Sequence, residues 1–155
     1  MRKMIYSLMV ATLSFGLTAG LAYGQDRVTQ KDVLETRAHD VNALADKHGG
    51  MKEAVHSVSV ETGVPLDQLQ KMRDQHPDAG AAGIMIACVI ADNAKGKPEA
   101  YLSRHVNGKG WAAIARDNNV PLDKINVRLD KLQHDLEGMP EHNLPATGRE
   151  HDRVR

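Results

Sequence analysis

The nine residues "GIMIACVIA" (Gly83–Ala91) decide the fold class of this protein. Every position in this segment carries an apolar or small side chain, and the apolar pattern extends to about Ala94. No part of the chain shows the period-two alternation of a half-buried strand. A helix that is apolar on nearly every face must be buried, so this segment predicts the central helix of an all-α protein.

Glycine, asparagine and proline residues divide the sequence on either side into further short helices. A helix commonly ends where Gly or Asn adopts a left-handed conformation, and proline is tolerated at the start of the next helix. In the last segment, Leu and Ile residues recur with 3-4-3-4 spacing from Leu122 to Leu136. The predicted helices run from Asp32 (capped by Thr29) to Gly49-Gly50, from Met51 to Thr62, from Pro65 to just before Pro77, from Gly83 to Ala94, from Pro98 to Asn107, from Trp111 to Asn118 and from Pro121 to Gly138.

Internal repeats link these helices. The motif "VPLD" occurs at Val64–Asp67 and again at Val120–Asp123. It belongs to a looser unit, in which a turn residue lies two positions before a proline and Leu or Ile lies four positions after it. The copies are Gly63/Pro65/Leu69, Gly96/Pro98/Leu102 and Asn119/Pro121/Ile125. The sequence therefore predicts a single domain of six to seven short helices arranged as helix–turn–helix repeats.

A second pair of segments also matches. "GAAGIMIA" (Gly80–Ala87) and "GKGWAAIA" (Gly108–Ala115) share Gly, Ile and Ala at equivalent positions. The pattern G-W-x-x-I-A, preceded by G-K-P-x-x-x-L, resembles a group of exported all-helical bacterial proteins of uncharacterised function. The resemblance covers roughly Thr62 to Ile125 and implies the fold and export alone. The first copy departs from the pattern, because Gly83 replaces Trp and "QHPDA" lengthens the loop.

Two better-known modules share parts of these motifs. "GWAAIARDNNVPLDKINVRL" is similar to a DNA-binding helix-turn-helix, but Asp123, Asp130 and Asp135 lie on the helix that would face phosphates. "VSVETGVPLDQL" is similar to the LysM peptidoglycan-binding module, whose flanking strands have no counterpart in this sequence. We therefore expect no nucleic-acid partner, and we keep a LysM-like peptidoglycan-binding module as an alternative function.

The N-terminus has the three parts of a secretory signal peptide. Arg2 and Lys3 precede an apolar run to about Leu21, and small residues follow at Ala22-Tyr23-Gly24. We predict a cleaved signal peptide at residues 1–24, a helical repeat domain at 25–138 and a disordered tail at 139–155. Cleavage leaves 18 basic and 20 acidic residues, a balance that favours neither nucleic acid nor an anionic membrane as a partner. The expected location is the periplasm or the exterior.

The predicted binding site is the groove between the "GKGW" joint and the final helix. Trp111 and Tyr101 are the only aromatic residues after the signal peptide, and exposed rings could stack on a flat ligand. We favour the other interpretation, in which Trp111 is largely buried at a helix–helix joint beside Ile114. The candidate ligand-binding residues are Tyr101, Lys109, Trp111, Lys124 and Arg128. The predicted function is an exported binding or scaffolding module for a protein or cell-envelope partner.

A metal-handling function is the alternative from a different class. His48 with Met51, and Met85 with Cys88, are spaced three apart, and the second pair offers soft sulfur ligands to copper or zinc. Met and Cys are also ordinary core residues in an apolar helix. No nucleophile motif or phosphate-binding loop is present. We therefore expect neither a cofactor nor enzymatic activity.

Overall fold

The computed structural model describes the backbone of residues 22–140 and the side chains of residues 33–140. Within this part of the chain the regular structure is helical, with no β-strand, which confirms the all-α prediction. The helices are α1 (Ala22–Lys47), α2 (Gly50–Thr62), α3 (Leu66–Gln75), α4 (Gly80–Ala94), α5 (Pro98–Val106), α6 (Trp111–Asp117) and α7 (Leu122–Glu137), with a 3₁₀ turn at Pro77–Ala79 between α3 and α4.

Helix α4 is the centre of the domain. All twelve residues of α4 from Gly80 to Ala91 are buried, and the helix packs against α1, α2, α3, α5 and α7. The predicted central helix is therefore confirmed. Because the core contains only two aromatic side chains among the described residues, burial of aliphatic area must provide most of its stability, at about 25 cal/mol per Å².

The two "VPLD" motifs form joints with the same backbone conformation. Gly63 and Asn119 are left-handed, with φ angles of 69° and 55°. Pro65 and Pro121 follow as the N-cap residues of α3 and α7, with ψ angles of 137° and 134°. A left-handed residue ends one helix and the fixed φ of proline sets the direction of the next. The same order of residues, a left-handed Gly or Asn followed by the motif "VPLD", thus produces the same turn twice.

The joint before α5 differs from the prediction. Lys95, not Gly96, adopts the left-handed conformation, with a φ of 56°, whereas Pro98 is the first residue of α5, as predicted. Gly96 is required for space instead, because a Cβ atom there would overlap the ring and hydroxyl of Tyr101. The glycine therefore serves the packing of α5 against the end of α4.

The start of α1 also corrects the sequence interpretation. The backbone is helical from Ala22 through Thr29 and Asp32, so these two residues do not form a capping box at a helix start. No proline or glycine lies between Gln25 and Asp32, and an established helix extends readily through such residues.

The predicted signal peptide and tail lie largely outside the described residues. Only residues 22–24 of the former and Met139 and Pro140 of the latter are described. Met139 is half-buried against the core, and its carbonyl oxygen lies 3.2 Å from Nδ1 of His48. None of the helices in residues 22–140 is both long enough and apolar enough to cross a membrane.

Candidate functional site

Trp111 lies in the core at the junction of α1, α5 and α6. Its side chain is only 1% exposed, and its indole stacks on the imidazole of His105 with ring centroids 4.2 Å apart. The carboxylate of Glu35, on α1, accepts a hydrogen bond of 2.6 Å from the backbone N–H of Trp111. That carboxylate satisfies one of the free N–H groups at the start of α6. This burial supports the interpretation that Trp111 has a structural role, packing at a junction between helices.

Gly83, the repeat counterpart of Trp111, lies against the tryptophan ring. A Cβ atom built on Gly83 would lie 3.4 Å from Cζ2 of Trp111 and 3.0 Å from Cβ of Ala79. The missing side chain in one copy therefore leaves room for the large side chain in the other. This contact gives a steric reason for the departure of the first copy from the repeat pattern.

The other candidate residues near the joint do not form an open aromatic platform. Tyr101 is 5% exposed, and the guanidinium of Arg104 lies 5.5 Å from the centre of its ring. Lys109 forms an ion pair with Asp117, and its hydrogen bond lowers the pKa of that carboxyl below its usual range. The structure thus places Tyr101 and Trp111 in the core and pairs Lys109 with a neighbour.

Lys124 and Arg128 line a separate groove, which we call the α4 groove. It has a volume of about 930 Å³ and lies between the ends of α2 and α4 and the starts of α5 and α7. Its apolar and small side chains are those of Val64, Cys88, Val89, Ala91, Pro98 and Val127. Its charged side chains are those of Glu61, Asp92, Lys95, Asp123, Lys124 and Arg128. The five predicted binding residues are therefore divided: Tyr101, Lys109 and Trp111 lie near the start of α6, and Lys124 and Arg128 line the α4 groove.

Hydrogen bonds hold the two basic residues of α7 at the edge of the groove. Lys124 Nζ donates to Oδ1 of Asn93 at 2.7 Å. Arg128 Nη1 donates to Oε2 of Glu61 at 3.1 Å. The Glu61 side chain is only 6% exposed, and it also pairs with Lys131. With Arg128 and Lys131 both paired to its carboxylate, Glu61 is a fixed anchor for the Arg128 side chain.

Cys88 lies in the apolar part of the groove, and its thiol is protonated at neutral pH. The residue is 4% exposed, and burial, with a smaller contribution from the charge of Glu99, raises the pKa of its thiol to about 12. The thiolate is the form that attacks electrophiles and binds metals. At neutral pH this thiol therefore contributes an apolar surface to the groove.

The metal candidates are separated in the structure. Met85 is fully buried in α4, whereas His48 lies between α1 and α2, with Nδ1 3.2 Å from the carbonyl oxygen of Met139, and Met51 lies in the first turn of α2. Among residues with described side chains, no three His, Cys, Asp or Glu side chains converge in a way that could hold a metal ion.

Sequence reasoning missed the groove and two of the residues that organise it. Glu61 and Asn93 lie 67 and 31 residues from their partners on α7, so no local motif joins them. The one feature of the sequence that pointed to the groove was the spacing of Lys124 and Arg128, which places both side chains on one helix face.

Comparison with known proteins found no matching family model, no similar curated protein and no similar solved structure.

Proposed function

We propose that this protein is an exported binding module whose α4 groove holds the apolar part of a small amphiphilic molecule. The observation that carries the proposal is the groove itself, with an apolar floor on α4 and charged residues around it. Its volume of about 930 Å³ lies at the upper end of the range typical of small-molecule sites.

The chemistry of the groove favours binding. Ala91, Val89 and Cys88 are buried residues of the central helix that also line the groove, so a rigid helix positions its floor. An apolar ligand would remove both this surface and its own from water, which is favourable in proportion to the area covered. The charged residues of α7 are exposed at the edge and can orient a polar group.

A groove-filling substitution tests the proposal. The neutral dye 1-aminoanthracene should gain fluorescence on binding the wild-type protein and should shift the backbone amide NMR signals of Val89 and Val127, which line the groove. Ala91→Phe places a ring in the groove and should abolish both effects. Ala43→Phe, at an exposed position of α1 outside the groove, is the matched control and should leave them unchanged.

A second variant removes apolar area at the edge without changing the core. Val127 is 64% exposed and lines the groove, so Val127→Glu should weaken dye binding several-fold while the circular dichroism spectrum stays unchanged. Equal affinity in wild type, Ala91→Phe and Val127→Glu, all folded, would show that the dye binds elsewhere and would refute this site.

Export is tested on the protein from its natural host. N-terminal sequencing should find a chain that starts near Gln25 in the envelope or external fraction. A cytoplasmic protein that starts at Met1 would exclude this part of the proposal.

A further inference from the structure

We infer that the ligand of the α4 groove carries a single carboxylate, and that Lys124 and Arg128 bind this group. The inference rests on the proposed binding function and adds the chemical class of the ligand. It follows from the placement of two basic side chains, the partners that hold them and the charge balance of the groove.

Lys124 and Arg128 are one turn apart on α7 and both line the groove. Residues four apart on a helix lie on the same face, about 6 Å apart along the axis. Two cationic groups at this separation can reach the two oxygens of one carboxylate. Both belong to the edge of a groove with an apolar floor, so the arrangement suits a molecule with an apolar body and one acidic end.

The partners of the two cations position them and leave donors available. Lys124 has three donor hydrogens, and its hydrogen bond to Asn93 is made to a neutral amide. Arg128 uses Nη1 for Glu61, and its Nε and Nη2 groups donate to no other described residue. This free edge of the guanidinium is the planar pair of donors that binds a carboxylate with two parallel hydrogen bonds. Positioning before binding lowers the entropic cost of holding long side chains.

The distribution of charge along the groove favours a monoanion. Three basic and three acidic residues line the groove, Lys131 pairs with Glu61 beside it, and the negative charge of Glu99 acts on Cys88, so the total charge is balanced. The available donors of Lys124 and Arg128 therefore match one carboxylate. A second negative charge would meet Asp92 and Asp123, which are exposed along the groove, and like charges at close range repel.

The test uses four probes with the same ten-carbon chain: decanoate, 1-decanol, decyltrimethylammonium and decyl phosphate. Dissociation constants come from displacement of 1-aminoanthracene, and occupancy of the groove comes from shifts of the backbone amide NMR signals of Val89 and Val127. Decanoate should bind about tenfold more tightly than 1-decanol, since hydrogen bonds between charged groups are stronger than those of a neutral hydroxyl. Decyltrimethylammonium should bind more weakly than 1-decanol.

Variants assign this preference to the two residues. Lys124→Met and Arg128→Met should each weaken decanoate binding about tenfold and leave 1-decanol binding unchanged. Arg128→Lys, which keeps the charge and loses the planar donors, should give a partial loss. Lys71→Met makes the same change in net charge at an exposed position of α3 outside the groove, and it should change decanoate affinity less than twofold.

The outcomes separate the two proposals. If 1-decanol binds as tightly as decanoate does, or if the Lys124 variant binds decanoate like wild type, the groove binds apolar molecules and the carboxylate inference is wrong. Tighter binding of decyl phosphate than of decanoate would also overturn it, in favour of a phosphate. If no probe binds or shifts the NMR signals of Val89 and Val127, the proposed function fails as well. Lys124→Met breaks no ion pair within the described part of the chain, so it stays informative even if Arg128→Met is unstable.

Discussion

The contact between Gly83 and Trp111 predicts a specific energetic coupling between the two repeat copies. Gly83 is an interior residue of α4 with no positive φ angle, so a valine is compatible with the backbone. The obstacle is space, because a Cβ atom would already lie 3.4 Å from the tryptophan ring and 3.0 Å from Cβ of Ala79. The γ-carbons of valine would extend about 1.5 Å further and would overlap these neighbours.

The size of the effect follows from two opposing contributions. Overpacking of a dense core costs about 1–3 kcal/mol, whereas replacing glycine in a helix interior with valine gains a few tenths of a kcal/mol. We therefore expect Gly83→Val to lower the free energy of unfolding by about 2 kcal/mol. In a Trp111→Leu background the ring is absent, so Gly83→Val should lower the free energy of unfolding by less than about 1 kcal/mol.

The assay is a double-mutant cycle by urea unfolding, followed by circular dichroism at 222 nm because one pair of variants lacks the tryptophan. The expected coupling energy is about 1–1.5 kcal/mol, in the range found for residues in direct contact. Gly138→Val is the matched control, since Gly138 also has a negative φ of −79° and the nearest atom to its built Cβ is 3.6 Å away. The changes in the free energy of unfolding caused by Gly138→Val and by Trp111→Leu should be additive.

A coupling energy below about 0.5 kcal/mol would refute this reasoning. It would mean that the ring and the helix adjust independently and that the Gly83–Trp111 contact does not explain the difference between the copies. A change in the m-value alone would indicate an altered unfolded state and would require a repeat with smaller substitutions.

Two further predictions concern the half-buried side chain of Asn42 and the buried side chain of Cys88. Asn42→Ala should lower the free energy of unfolding, measured in urea, by about 2–3 kcal/mol. The reason is that the Asn42 side chain accepts a hydrogen bond from the N–H of Ala82 and donates one to the carbonyl of Ala79. A decrease of less than about 0.5 kcal/mol would contradict this prediction. For Cys88, the pKa of about 12 in the folded protein lies above the ordinary value of 9.0. The stability contributed by the neutral thiol is thus complete below pH 9 and is lost as the pH rises towards 12. Between pH 8 and pH 11 the wild type should therefore lose about 2 kcal/mol more than Cys88→Ala, and equal losses would contradict the raised pKa.

The helix boundaries were predictable because they depend on residues that are close in sequence. Gly63 and Asn119 end their helices in the left-handed conformation, and each is followed within two residues by a proline that caps the next helix. The burial of α4 was predictable for a similar reason, since an unbroken apolar surface has to leave water wherever the other helices lie. Where the prediction was wrong, at Thr29 and Gly96, a competing influence acted: helix extension at the first and the packing of Tyr101 at the second.

The sequence by itself determined the helical class, the central helix and the joints, because capping and hydrophobic periodicity act over one or two turns of chain. Only the tertiary structure decided that Trp111 is buried against Gly83, that Glu35 caps α6 from 76 residues away, and that Lys124 and Arg128 face a groove. A groove is the space that remains when several helices pack at particular angles and depths. Its shape and its chemistry therefore depend on contacts between distant segments, which no local pattern of residues specifies.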